Sequence, residues 1–238
     1  HASFAWRIDT TPPTTTIGSA VDGNKTAISN STSTRSNSIT FAFSGQDTGK
    51  VEVKRFECSP DNSAFAACTS PYSIQKLTDG THKFNVRAVD NSGNRDNSPD
   101  LFTWIVDTTP PSSSITTATD GNNKTMVAGG DTTSKSMTFA FSGNDTGIGL
   151  DRFECSVDGA SFAACTSPVK FSSLPDGPHT EQVRAQDRVG NKDPSPASFN
   201  WKVDTTAPTT KIDSATDGSK NAITNGATTK STSMTVAF

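Results

Sequence analysis

The sequence predicts an all-β chain built as a tandem array of small sandwich domains, and three observations predict it. One stretch is written three times: FAWRIDTTPP at 4–13, FTWIVDTTPP at 102–111 and FNWKVDTTAP at 199–208. Its tryptophans, Trp6, Trp104 and Trp201, are 98 and 97 residues apart, a period that suits one small domain per repeat. Apolar residues alternate with polar ones at period two, which lines one face of a strand, and no helical stripe of useful length interrupts them. Short apolar runs are separated by Asp-Gly and Pro turn signals.

The period divides the chain into the last strand of a preceding repeat (1–8), two full repeats (9–106 and 107–203) and the first strands of a further, incomplete one (204–238). Within a full repeat, Ile39, Phe41 and Phe43 alternate with Thr40 and Ala42 on an early strand. Met137, Phe139 and Phe141 follow the same pattern, as do Met234, Val236 and Phe238. Phe56 and Cys58 share a face of the next strand, and Phe65 and Cys68 fall on the strand after it, beyond a turn at 60–63. The second repeat places Phe153, Cys155, Phe162 and Cys165 around Asp158-Gly159, a strong hairpin signal. Leu77 precedes the Asp79-Gly80 turn, and Phe84, Val86 and Ala88 line the strand that follows. Each repeat ends on Phe-x-Trp-x-Ile/Val, with Phe102, Trp104 and Val106 facing one way. The one-residue change in period lies between Phe43 and Phe56, where insertions accumulate in a loop.

Six or seven short strands in about 97 residues make a seven-strand sandwich with immunoglobulin-type connections the most economical architecture, with a closed barrel as the lesser alternative. One position breaks the pattern. Glu181 aligns with the inward Phe84, so either it sits at the open end of the sandwich or its strand shifts register.

Only 31% of the chain is apolar, a composition that resembles disorder until the regular alternation is seen. With a net charge of -3 and no basic run, nothing favours nucleic acid or an anionic membrane surface as a partner. No stretch approaches the roughly 18 apolar residues of a membrane span. The opening within a strand and the match of Phe238 to Phe43 and Phe141 lead us to expect a window on a longer polypeptide. Exchange of strands between subunits is the lesser reading, because the two broken ends leave roughly 55 residues of a repeat unsupplied.

Four cysteines allow three pairings, and repetition selects Cys58 with Cys68 and Cys155 with Cys165, each pair ten residues apart across a hairpin. A metal site or free thiols is the competing reading, but His82 and His179 are single and no further ligands have suitable spacing. Intradomain hairpin disulfides imply an oxidising, extracellular compartment.

The running pattern is VDTTPP, then FECSxDxxxFAACTSP, then VRAVDNSGN at 86–94 or VRAQDRVGN at 183–191, then FxW. It resembles the immunoglobulin-like repeats of large surface adhesins and extracellular filament proteins of bacteria and archaea. The resemblance covers both full repeats and the fragments. It implies tandem immunoglobulin-like β-sandwich domains and an extracellular structural or adhesive role, and it transfers no ligand or catalytic site. No enzyme is expected: the chain has no nucleophile elbow and no phosphate-cradling glycine loop, and every polar cluster recurs in each repeat.

Three groups of residues are candidate sites. In an immunoglobulin-type sandwich the first strand's start and two loops share one end, which gathers Asp9, Asp47 and Asp90 in one repeat and Asp107, Asp145 and Asp187 in the next. Converging hard oxygens at a domain junction suit Ca2+, the one cofactor considered; the competing reading makes them Asx-turn residues that satisfy loop backbone. Asn24, Asn30, Asn123 and Asn144 begin Asn-x-Ser/Thr sequons, which are glycosylation acceptors or chance matches in an Asn- and Thr-rich chain. The joints themselves, VDTTPP without a Gly/Ser linker, restrict the backbone and hold consecutive domains at a reproducible angle. A stiff rod in a filament, stalk or long adhesin follows, with other copies or repeats of the chain as partners. The alternative is a module that binds a glycan or a partner cell surface through loops or an edge strand.

Overall fold

The computed structural model describes residues 3–48 and 52–238. Part of the expected loop after Phe43 (residues 49–51) and the start of the expected leading strand (residues 1–2) lie outside the described residues.

The first domain contains β1 (Thr14–Asp22), β2 (Thr32–Thr34), β3 (Ile39–Gln46), β4 (Val53–Pro60), β5 (Ala66–Cys68), β6 (Tyr72–Ile74), β7 (Gly80–Asp90) and β8 (Asp100–Val106). The second repeats them as β9 (Ser112–Asp120), β10 (Gly130–Thr132), β11 (Met137–Asn144), β12 (Leu150–Val157), β13 (Ala163–Cys165), β14 (Val169–Phe171), β15 (Gly177–Asp187) and β16 (Ala197–Val203). A three-stranded sheet, β1-β3-β6, faces a five-stranded one, β2-β8-β7-β4-β5, and β9-β11-β14 with β10-β16-β15-β12-β13 reproduces the arrangement. The chain is all-β, with two tandem sandwich domains. Their disulfides are Cys58–Cys68 and Cys155–Cys165, each linking residues ten apart.

Among the described residues each domain has eight strands where six or seven were expected. The extra one arises because the chain leaves β1 and crosses to the other sheet, where β2 runs parallel to β8 with Thr32 opposite Trp104. Three residues, Thr-Ser-Thr, carry no apolar alternation that a sequence could reveal. Their anchor is the buried Asp22, whose carboxylate accepts the Thr34 hydroxyl (2.6 Å) and the amides of Asn24 and Thr26. Asp120 holds Thr132 and the amides of Asn122 and Lys124 in the same way.

The first core gathers Ile39, Phe41, Phe84, Val86, Trp104 and Val106, all fully or almost fully buried. Phe41 stacks on Phe84 at 4.3 Å and meets Phe102 and Trp104 edge-on at 5.3 and 5.4 Å, the offset and edge geometries that aromatic quadrupoles prefer. Tyr72 also stacks on Phe84, at 5.5 Å.

Glu181 follows neither expectation. Its strand keeps register, with Glu181 opposite Phe199 as Phe84 is opposite Phe102, and its exposure is 0%. It is shielded from solvent where the homologous phenylalanine would be, and the buried apolar residues of the second domain fall into two clusters. One apolar cluster surrounds Phe139 and Trp201, and another surrounds Phe141, Cys155 and Val183.

Outside the two domains, β17 (Ser214–Asp217) and β18 (Met234–Ala237) pair with each other, and no second sheet faces them among the described residues. Met234 and Phe238 are accordingly exposed, unlike Met137 and Phe141. Residues 3–8 repeat the β8 pattern but form no strand, and Phe4, Trp6 and Ile8 lie in solvent. Identical side chains take different fates because a strand requires a neighbour to pair with.

Candidate functional site at the domain joint

The joint between the domains is held from both sides. On the first domain, the Asp79-Gly80 turn presents Asp79 to the linker. Its carboxylate accepts the Thr108 amide (2.9 Å), the Thr108 hydroxyl (2.7 Å) and the Thr109 hydroxyl (2.6 Å). The Thr109 hydroxyl outweighs burial, and with the Thr108 donors it holds the Asp79 carboxyl below its usual range. Asp176 receives the Thr205 amide and hydroxyl in the corresponding place, and those bonds lower its pKa too.

His82 braces the turn that carries Asp79. Its Nδ1 lies 2.9 Å from Asp61 Oδ2, its Nε2 lies 2.7 Å from the Thr78 carbonyl oxygen, and its ring stacks on Trp104. His179 repeats this with Asp158, Pro175 and Trp201. Burial opposes the charged form of His179, but the Pro175 carbonyl and the Asp158 carboxylate prevail and raise its pKa. The histidines are therefore core braces, with both ring nitrogens engaged.

From the second domain, Asp107 accepts the Ile148 amide (2.8 Å) and the Thr109 amide (3.2 Å), and its carbonyl receives Asn191 Nδ2 (2.9 Å). A side chain at Gly147 would collide with the Asp107 carboxylate, so glycine permits the loop to close directly on the joint. Asp187 caps its own loop through the amides of Val189 and Asn191. Asp145 accepts the Gly149 amide on one oxygen. Arg35 of the first domain donates to the Gly190 carbonyl of the second across 3.1 Å. Between the domains lies a cleft of about 760 Å³ lined by Asp79, Asp107, Ile148, Arg188 and Val189, among others.

Asp107, Asp145 and Asp187 each bring one carboxylate oxygen within 4.8 Å of the others, and Asp9, Asp47 and Asp90 do the same at the preceding joint. Asp107 and Asp187 are buried. Burial pushes the Asp90 carboxyl up, but the Asn94 side chain and the amides of Asn94, Gly93 and Ser92 outweigh it and lower its pKa. Many of these oxygens serve Asx-type turns. Asp145 Oδ1 and Asp9 Oδ2, however, are buried atoms with no hydrogen-bond donor. All-oxygen donors, like charges held close together and orphaned buried oxygens fit a hard divalent cation such as Ca2+.

The four sequon asparagines are exposed. Asn30 uses its side-chain oxygen to accept the Thr103 amide and hydroxyl.

Sequence reasoning missed Asp79, Asp176, Asn94, Asn191 and Arg35. The first four recur at equivalent places in the two repeats, and that recurrence was the available signal. Arg35 had none, since Thr133 stands at its equivalent position.

Two segments, 67–142 and 166–236, match the family of bacterial Ig-like domains (group 3), and the chain belongs to that family. Each matched segment starts at or just after the second strand of a disulfide hairpin and runs across a joint into the next repeat. No curated protein matches the chain. Among solved structures, it resembles the fibronectin(III)-like modules of Clostridium thermocellum CbhA at 19% identity and a TM-score of 0.42, covering 80% of this chain and 94% of that one. An ice-binding bacterial adhesin is 12% identical with a TM-score of 0.39, over 75% of this chain and 60% of the other. The extracellular domain of a hybrid two-component system from B. thetaiotaomicron is 9% identical with a TM-score of 0.36, over 70% of this chain; the chain spans only 30% of that protein.

Proposed function

We propose that this chain is a segment of an extracellular filament, stalk or long surface adhesin, in which disulfide-linked Ig-like domains, divided near 106/107 and 203/204, form a stiff and noncatalytic rod. The doubly held joint carries the reading: Asp79 grips Thr108 and Thr109 from one domain while the second domain closes its loop on Asp107. A linker that is hydrogen-bonded to both neighbours and contains two consecutive prolines transmits bending and tension instead of absorbing them. Electron microscopy of native material tests this. Ordered fibres with a repeat of one or two domains are expected, and isolated flexible strings would overturn it.

Ca2+ at the Asp107, Asp145 and Asp187 group, and at Asp9, Asp47 and Asp90, would stiffen the joints further. The orphaned Asp145 Oδ1 and Asp9 Oδ2 favour it. Thermal melting with Ca2+ and then with chelator should differ by several degrees; identical curves exclude a stabilising site. Sugars on Asn24, Asn30, Asn123 and Asn144 would appear as excess intact mass of secreted material.

A second reading, recognition of a glycan or a partner cell surface, is favoured by the interdomain cleft. Its loop reads Arg188-Val189 where the first repeat has Asn91-Ser92, a difference that a uniform shaft would not need. Glycan-array binding that is lost on replacing Arg188 would support this reading over a passive shaft.

A further inference from the structure

We propose that Glu181 makes the second domain a pH-yielding link in the array, closed when this carboxyl is protonated and opening more readily once it is ionised, while the first domain does not respond in this way. The geometry is unusual for a carboxylate. Both oxygens of Glu181 are buried and neither has a hydrogen-bond donor, in a position where an aromatic ring fills the first domain. Phe84 there stacks with both Phe41 and Tyr72, whereas the second domain has Glu181 and Val169 in place of Phe84 and Tyr72. The buried apolar residues there form two clusters, bridged by the partly buried Ile115 and Val169, where the first domain has one.

The titratable groups around Glu181 are few. On its own strand His179 shares the inward face two residues earlier, and Asp158 follows the end of β12. Its register partner on β16 is Phe199, and the apolar clusters of the domain, with Ile115, Phe139, Val169, Phe171 and Trp201, carry no charge. Among the described residues no cation pairs with Glu181, and the His179 imidazole is already shared between Asp158 and Pro175. Burial, reinforced by the Asp158 charge, pushes the Glu181 carboxyl up from 4.5 to about 8.

The sign follows from linkage. A group whose pKa is higher in the folded state leaves the fold fully stable below the unfolded value, and that stability is lost as pH rises through the folded one. The second domain should thus weaken between about pH 4.5 and about pH 8. His179, also raised, works in the same direction over part of that window.

Hydrogen exchange on the whole chain tests the proposal with its own internal reference. Amide protection in β15 is compared with that in β7 of the same molecules, so the chemical pH dependence of exchange cancels. The β15/β7 protection ratio should fall by roughly tenfold per pH unit and level off near pH 8. Glu181→Gln should flatten that profile while keeping His179 and Asp158. Glu181→Phe should flatten it and raise β15 protection, since the variant restores the residue that the first domain uses. Phe84→Glu should transfer the response to β7. A flat ratio in the unaltered chain would overturn the proposal. So would a slope that Glu181→Gln leaves intact, because the response would then belong to the His179–Asp158 pair.

Discussion

Replacing Asp79 with alanine removes three hydrogen bonds from the joint at once, those from the Thr108 amide, the Thr108 hydroxyl and the Thr109 hydroxyl. A hydrogen bond to a charged acceptor contributes about 1.5–3 kcal/mol when shielded, but Asp79 is exposed and water competes for all three, so about 2 kcal/mol in total is the working figure. That lowers the ratio of docked to undocked joints about 30-fold. A joint docked about 99% of the time would then be docked about three-quarters of the time, enough to change the shape of a rod. Two measurements read it. Exchange of the Thr108 amide should accelerate by about the same factor, and small-angle scattering should show a broader distribution of lengths. Asp79→Asn should fall between the two, since it keeps an acceptor and loses the charge. If Asp79→Ala matched the unaltered chain in both Thr108 exchange and scattering, the grip of Asp79 would not be what orients the domains.

Three further outcomes are expected. Glu57 is buried among Arg55, Arg87 and Arg95; burial opposes its charge, but the three arginines prevail and bring its pKa to about 2. Its contribution should be intact above about pH 4.5 and fade as pH falls towards 2, a loss of roughly 2 kcal/mol once solvent at Arg55 and Arg95 is allowed for, and Glu57→Gln should melt with a shallower acid dependence. Gly147→Ala should force the loop off Asp107, break the Ile148 bond and lower the stability of the second domain by about 1–3 kcal/mol, read as an earlier melting transition. Opening Cys155–Cys165 with a Cys155→Ser/Cys165→Ser double variant should cost about 3 kcal/mol in the second domain and leave the first unchanged. An equal loss in both domains would show that they do not unfold independently.

Much of the fold was legible because it is written in local alternation. Ile39, Phe41 and Phe43 declare a strand with one buried face, and so do Phe102, Trp104 and Val106. The cysteines declared their partners because the ten-residue hairpin is repeated. The short strands β2 and β10 were not legible, since they are defined by whom they pair with and not by their own side chains. Asp79 was read as part of an Asp-Gly turn, and its sequence alone does not show that the carboxylate faces the linker. Glu181 was visible as an anomaly. Either relief considered for it, exposure at the open end or a register shift, would have spared a buried carboxyl; instead the strand keeps register and the side chain is shielded from solvent.

The array, the period-two strands, the disulfide pairs and the proline-restricted joints follow from the amino-acid order, because each depends on residues close together or on direct repetition. How a joint is gripped, and where a carboxylate is buried, depend instead on the packed fold. Asp79 reaches Thr108 across 29 positions, Ile148 reaches Asp107 across 41, and Arg35 reaches Gly190 across 155. Contacts at such separations are set by the way two sheets close and two domains meet, which local patterns do not encode.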